Sequence, residues 1–480
     1  MEKIKTYIVI IILLIVLKTG FAQETENISL DGYLEMAAQN NPELKATFNQ
    51  YLASLEKVPQ VGSLPDPQSS FGVFTKPMAI LGGSQVANIQ VMQMFPWFGT
   101  LKTAKDEASE MAKAKFQLFN AAKAELFYRV KTNWYQLIKL DREIALVEEN
   151  IQLLESLEKL AMIKFQAPTS DGSSSGTTGS GSMNTTSTEN MNSGANDMGG
   201  MKTNQMTSAP LTATSMSNSS MPEGMGGQQS GLQNVLRVKM EILEQQNKLL
   251  LMKDQRLTTE NIFNALLNSD LKTRIQINDS LSIQQLPTEK LAIVDSILNN
   301  NPMLAMLGNE AVSYELMGQK AKKMGLPMLG VGLNYMLNQK RDGNTFMMNG
   351  TDMLMPMLSV SIPIYRKKYN AMQNEAILMQ EAVKQQTIGL KNNLMVQYRS
   401  FVQNLDDAKR RVTLYQQQEE LAQKTTDLLL AGFATSGTNY EEVLRMQYKV
   451  LDFGFKHIEA ITDYNMSVAL AEKLMNSIKR

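Results

Sequence analysis

The sequence predicts a mainly α chain with a transmembrane β component, built as two internal repeats. Three observations predict it. Motifs recur in the same order along the chain, short segments alternate with a period of two, and helical stretches run far longer than a globular core needs. The repeat is the first of these. ISLDGYLEMAAQNNPEL (28–44) is matched by TEKLAIVDSILNNNPML (288–304), with Asn40-Asn41-Pro42 opposite Asn300-Asn301-Pro302. SQVANIQVMQMFPWFGTLKTAKDEA (84–108) is matched by PMLSVSIPIYRKKYNAMQNEA (356–376), with Pro96 opposite Pro363. LQNVLRVKMEIL (232–243) is matched by YEEVLRMQYKVL (440–451). The first copy is expected over 23–286 and the second over 287–480. Each holds an opening helix, two strands, a long helix and a returning helix.

The strands come next. In 328–338 the odd positions are Leu329, Val331, Leu333, Tyr335 and Leu337, and the even ones are Met, Gly or Asn. In 353–364 the even positions Leu354, Pro356, Leu358, Val360, Ile362 and Ile364 alternate with Met353, Met355, Met357, Ser359 and Ser361. The first copy is weaker, with strands expected at about 67–75 and 85–95. Alternation over about ten residues suits a membrane-crossing strand of roughly 9–11 residues. Four strands cannot close a barrel, and open edges are not tolerated in lipid. Three chains would supply twelve.

The helices set a second length. Leu101 to Phe165 is 65 residues without Pro or Gly, roughly 100 Å of helix. Ile144, Val147, Ile151, Leu154 and Leu157 step as coiled-coil seams do. A similar helix is expected over 365–430, a tip over 431–440, and returning helices over 232–268 and 441–478. The opening helices are expected at about 31–59 and 289–324.

Composition narrows the function. The 480 residues carry 47 basic and 47 acidic side chains, so there is no basic excess for nucleic acid. There is no Cys, which removes thiolate sites and a lipid-modified N-terminal Cys; the single His457 leaves little for zinc or His-based catalysis. No nucleophile elbow, phosphate loop or glycine-framed carboxylate pair is found, so no enzyme is expected and no catalytic residue is named. Lys3 and Lys5 before the apolar Tyr7–Leu17 predict a secretory signal peptide over 1–22. An exported protein without a lipid anchor is expected.

The doubled Asn-Asn-Pro, Phe95-Pro96-Trp97-Phe98-Gly99-Thr100-Leu101, Ser361-Ile362-Pro363-Ile364 and the segment Gly437 to Arg445 together resemble the TolC-like outer membrane efflux factors. Leu64-Pro65-Asp66-Pro67 resembles the metal-efflux branch. The resemblance covers nearly the whole mature chain. It implies a homotrimer with a twelve-stranded β-barrel, four strands per chain, in the outer membrane of a Gram-negative bacterium. A long α-helical coiled-coil barrel would reach into the periplasm. The partners implied are a periplasmic adaptor (a membrane fusion protein), an inner-membrane RND-type pump and outer-membrane lipid.

By the repeat, the segment 168–231 occupies the helical turn of the first copy. It is polar, low in complexity and expected to be disordered. Yet residues 182–227 hold eight methionines: Met183, Met191, Met198, Met201, Met206, Met216, Met221 and Met225. Thioether sulfur is a soft ligand that favours Cu(I), and by the same softness Ag(I). These eight are the candidate ligands for transient Cu(I) or Ag(I); no resident cofactor is expected. Strand parity adds Met92, Met94, Met328, Met336, Met353, Met355 and Met357 as lumen-facing residues if the leucines face lipid. At the tips, the gate and adaptor contact are assigned to Val235, Leu236, Arg237, Gly432, Gly437, Glu441, Glu442, Val443, Leu444 and Arg445. In the resembling family acids here ring the pore. Glu442 matches the first such position, and Arg445 stands where a second acid is common. Two further readings compete with a Cu(I)/Ag(I) conduit. One is an efflux channel for drugs or other organic molecules with the insert as a spacer. The other is a secreted coiled-coil scaffold without a pore.

Overall fold

The computed structural model describes residues 29–166, 227–277, 280–286, 289–343, 345, 347–435 and 440–476. The elements are α1 (Leu30–Asn40), α2 (Pro42–Gly62), β1 (Gln68–Ile80), β2 (Gly83–Phe95), α3 (Thr100–Gln166) and α4 (Gly227–Leu267) in the first copy. The second holds α5 (Lys290–Asn300), α6 (Pro302–Met324), β3 (Met328–Gln339), β4 (Met353–Ser361), α7 (Arg366–Thr435) and α8 (Tyr440–Met475). The same order of elements recurs in both. Among the described residues no helix is long and apolar enough to cross a membrane.

Each expected opening helix is in fact two helices, broken at Asn41 and at Asn301. The reason is local. Asn41 has extended backbone, and Pro42, which lacks an N–H, takes the first position of α2 where none is needed. The Asn41 side chain accepts a hydrogen bond from the Leu44 N–H at 3.0 Å, and its Nδ2 donates to the Leu266 carbonyl in the last turn of α4 at 3.0 Å. Asn301 repeats this, accepting from Met303 and Leu304 at 3.0 and 3.4 Å and donating to the Leu474 carbonyl near the end of α8 at 3.3 Å. One side chain thus caps a starting helix and satisfies an orphan carbonyl of an ending one. The returning helices also end alike, on Asn268 and Asn476 with φ of 52° and 50°. Asn is the residue besides Gly that most readily enters that region.

The described residues of 1–151 and 245–480 form one compact unit, and those of 152–244 a second. The first unit has two cores. One gathers Tyr33, Leu34, Trp134, Phe263 and Leu267, with the three rings 5.2–5.8 Å apart by centroid. The other gathers Ile293, Phe401, Leu405, Tyr464 and Leu474. Arg256 of α4 donates to Asp141 of α3, to Glu260 and to the Ile275 carbonyl, which ties the segment after α4 to both helices. The bond to Asp141 raises the Arg256 pKa further, against the opposing effect of burial. In the second unit Leu154, Leu157 and Ala161 of α3 are buried, as are Val235, Val238 and Ile242 of α4. Both sets step by three or four residues, as a coiled-coil seam does. Val147 and Ile151 are likewise buried, and Ile144 is half-buried.

Other boundaries shift. Ala431–Thr435, expected in the tip, continue α7, and α8 resumes at Tyr440. β4 stops at Ser361, so Ile362 and Ile364 lie beyond the strand. β1 runs on to Ile80. α4 starts at Gly227, inside the segment expected to be disordered.

Candidate functional site

The four strands form one antiparallel sheet in the order β1-β2-β3-β4. With every pair antiparallel, β1 and β4 run in opposite directions and are the two edges. The register assigns each residue to a face. Val91 lies opposite Leu333, and Leu333 opposite Pro356. The same face holds Phe71, Val73, Ile89, Phe95, Leu329, Val331, Tyr335, Leu354, Leu358 and Val360. All of these are exposed, Leu358 by 86%. No other layer of the described chain covers this face. A contiguous apolar surface of this kind marks contact with a membrane or a partner.

Where the strands meet the long helices, the aromatic and apolar residues continue. Trp97 and Phe98 follow β2, Ile364 and Tyr365 follow β4, and all four are exposed. Trp and Tyr are enriched where a membrane-spanning element meets the water interface. The turn between β2 and α3 needs Gly99, whose φ is +77°. Its carbonyl accepts from the Thr103 N–H and hydroxyl, and Lys323 of α6 donates to the Thr103 hydroxyl at 2.6 Å.

The opposite face carries the sulfur. Met92, Gly332 and Met357 share one row across β2, β3 and β4. The next row is Gln90, Asn334 and Met355, and the next is Asn88, Met336 and Met353. On the other side of the first row stand Met94, Gly330 and Ser359, and beyond them Met328 opposite Ser361. So all seven methionines of β2, β3 and β4 share a face, in company with Asn and Gln. The alternation in the sequence carried that signal, but Asn334, Gly330 and Gly332 were not singled out from it. Gly330 makes room for sulfur: a Cβ there would stand 2.7 Å from the Met94 Sδ. Asn334 is 7% exposed, and its Oδ1 has no hydrogen-bond partner among the described residues.

The tip residues divide. Val443 and Leu444 are buried in the first turn of α8, beside Tyr440, whose ring lies 5.4 Å from that of Phe433. Glu441, Glu442 and Arg445 are exposed, and Arg445 pairs with Glu442 at 3.6 Å. The acid and the base therefore offset each other within one chain. Acids in the first turn also suit the helix dipole. Gly432 is half-buried within α7. In α4, Val235 is buried while Leu236 and Arg237 are exposed. Gly437 and the eight insert methionines, Met183 to Met225, lie outside the described residues. His457 bonds Glu419 of α7 at 2.9 Å. Among the described residues no group of three His, Asp or Glu stands together as a metal site.

No protein-family model matches the chain, and no curated protein matches it by sequence. Solved structures match it over nearly its whole length. The outer membrane protein VceC of Vibrio cholerae is 12% identical with a TM-score of 0.64, over 93% of this chain and 95% of that one. The open state of the Neisseria gonorrhoeae MtrE outer membrane channel is 11% identical with a TM-score of 0.66, over 94% and 89%. CusC, which forms a transmembrane channel, is 11% identical with a TM-score of 0.65, over 93% and 91%. The chain has the fold of these outer-membrane channel proteins.

Proposed function

We propose that the chain is the outer-membrane channel of a tripartite efflux system, working as a homotrimer that conducts Cu(I) or Ag(I) passively. The observation that carries the channel reading is the sheet. One face is apolar and uncovered, aromatic residues rim it, and both edges are open. Lipid excludes open edges. Because β1 and β4 run in opposite directions, β4 of one copy can meet β1 of the next antiparallel, and three copies close a twelve-stranded barrel. The protein then sits in the outer membrane, with its helical part in the periplasm, where an adaptor and an RND-type pump deliver cargo. Energy comes from the pump, so the chain needs no catalytic residues. The tip segments around Val235–Arg237 and Tyr440–Arg445 meet the adaptor. The Glu442–Arg445 pair leaves a weaker acidic gate than a doubled acid would.

The cargo reading rests on the insert. Its eight methionines stand at about two and a half times the density of the whole chain, where 34 residues of 480 are Met. Soft thioether sulfur spaced through a polar sequence captures Cu(I) or Ag(I) and exchanges them easily.

Two measurements test these readings. Purified from outer membranes, the protein should run as a heat-resistant trimer and form conducting pores in planar bilayers. A protein that never conducts is not a channel. Deleting the gene should then sensitise the host to copper and silver. Sensitivity to organic drugs alone would assign the channel to organic cargo and leave the insert as a spacer.

A further inference from the structure

The methionine face of the sheet is unusual on either ordinary account. Barrel interiors are polar, and methionines that merely fill a core are buried. Here Met328, Met353 and Met355 stay about two-fifths exposed, with no layer packed over them. They alternate with amides, and the Asn334 Oδ1 on the same face is buried without a hydrogen-bond partner among the described residues. A buried acceptor left empty is rare and calls for a ligand or a donor.

We infer that this face is a series of thioether sites for a soft monovalent d10 cation, centred on Met336, Met353 and Met355 around Asn334. The inference rests on the channel reading, since it requires this face to line a pore. The register brings the group together. Met336 and Met353 lie directly opposite each other, and Met355 lies opposite Asn334. Direct partners hold their Cβ atoms about 4.5–5.5 Å apart and diagonal ones about 7–8 Å, within reach of long flexible side chains. Two or three sulfurs suit Cu(I) or Ag(I), and the amide oxygen of Asn334 adds a weaker donor. One row on, Met92 and Met357 flank Gly332, which presents no side chain between them. The Met94 sulfur occupies the space that Gly330 leaves. Sulfur therefore recurs along the strand direction, and an ion released from one group meets the next. Weak, repeated sites favour conduction over trapping.

The test uses the full-length trimer in planar bilayers, with the eight insert methionines changed to serine so that only the sheet can bind. Silver nitrate is the probe, in a chloride-free electrolyte. Silver should interrupt the potassium current in discrete reversible events. Met336→Leu, Met353→Leu and Met355→Leu together should shorten those events about tenfold while potassium conductance holds, because Leu preserves bulk and removes the soft ligand. Met92→Leu with Met357→Leu provides a second variant should the triple one not assemble. X-ray absorption at silver bound to the serine-insert trimer should give two or three sulfur neighbours. Unchanged silver events in the leucine variants, or silver without sulfur neighbours, would overturn the site and leave the channel reading standing. A trimer that carries no potassium current would overturn the channel reading and this inference with it.

Discussion

Asn41 and Asn301 hold the same bonds in the two copies, each capping a helix and donating to the last turn of a returning one. Leu236 and Leu444 also correspond by repeat, yet Leu236 is 55% exposed and Leu444 is 4% exposed. The copies therefore agree where their helices start and end, and differ at the tips. The difference has a physical origin. A buried asparagine that bridges two helix ends has no substitute, because each lost bond strands a buried group. An exposed side chain such as Leu236 has no such bond to lose.

The largest effect should come from the two cores that surround these asparagine junctions. Trp134→Ala and Phe401→Ala should each cost about 3–5 kcal/mol, seen as a lower melting temperature by circular dichroism. If one copy tolerated the change, the equivalence of the two junctions would fail. Next, Leu444→Ala should cost about 2–4 kcal/mol, whereas Leu236→Ala should stay within about 0.5 kcal/mol. Loss of adaptor binding by the Leu236 variant at unchanged stability would assign that side chain to the partner. Asn41→Ala and Asn301→Ala should each cost about 2–3 kcal/mol, combining a lost cap with an orphan carbonyl. Their double variant should be additive if the copies are independent.

The smallest effect concerns Glu143, buried in α3 with Lys139 at 3.7 Å. Burial raises its pKa above the ordinary carboxylate range, Lys139 and Lys248 oppose this, and Glu459 adds to it. The folded state therefore holds a proton that the unfolded state releases first. That contribution is full below the ordinary carboxylate range and is lost as pH rises through the raised value. Glu143→Gln should remove the slope in that window and raise stability at neutral pH by less than about 1 kcal/mol. A lower melting temperature at neutral pH would show that the lysines outweigh burial.

Much of the architecture was legible because its signals are periodic. Leu329 to Leu337 alternate, and the register follows that parity. Val147, Ile151, Leu154 and Leu157 mark a seam, and all are buried. The Asn-Asn-Pro motif was legible as a repeat but not as a break, because its asparagine bonds a carbonyl 225 residues away for Asn41. No local pattern reports such a partner. The end of β4 at Ser361 was also hidden, since Ile362 and Ile364 keep the alternation after the ladder stops. At the site, parity grouped the methionines, while the space over Gly330 and the empty Asn334 oxygen depend on neighbouring strands.

The first core has a consequence for synthesis. Ala469 of α8 belongs to it, and Lys131 and Glu125 of α3 pair with Glu472 and Lys473 of the same helix. The two repeats are thus not two folding units that can mature in turn. The core residues Tyr33, Trp134 and Phe263 stay incompletely covered until α8 has been made. Contacts so distant in sequence form slowly, and the waiting chain is prone to aggregate. New chains should therefore depend on holding chaperones, and a truncation before Ala469 should be degraded rather than yield a folded first half.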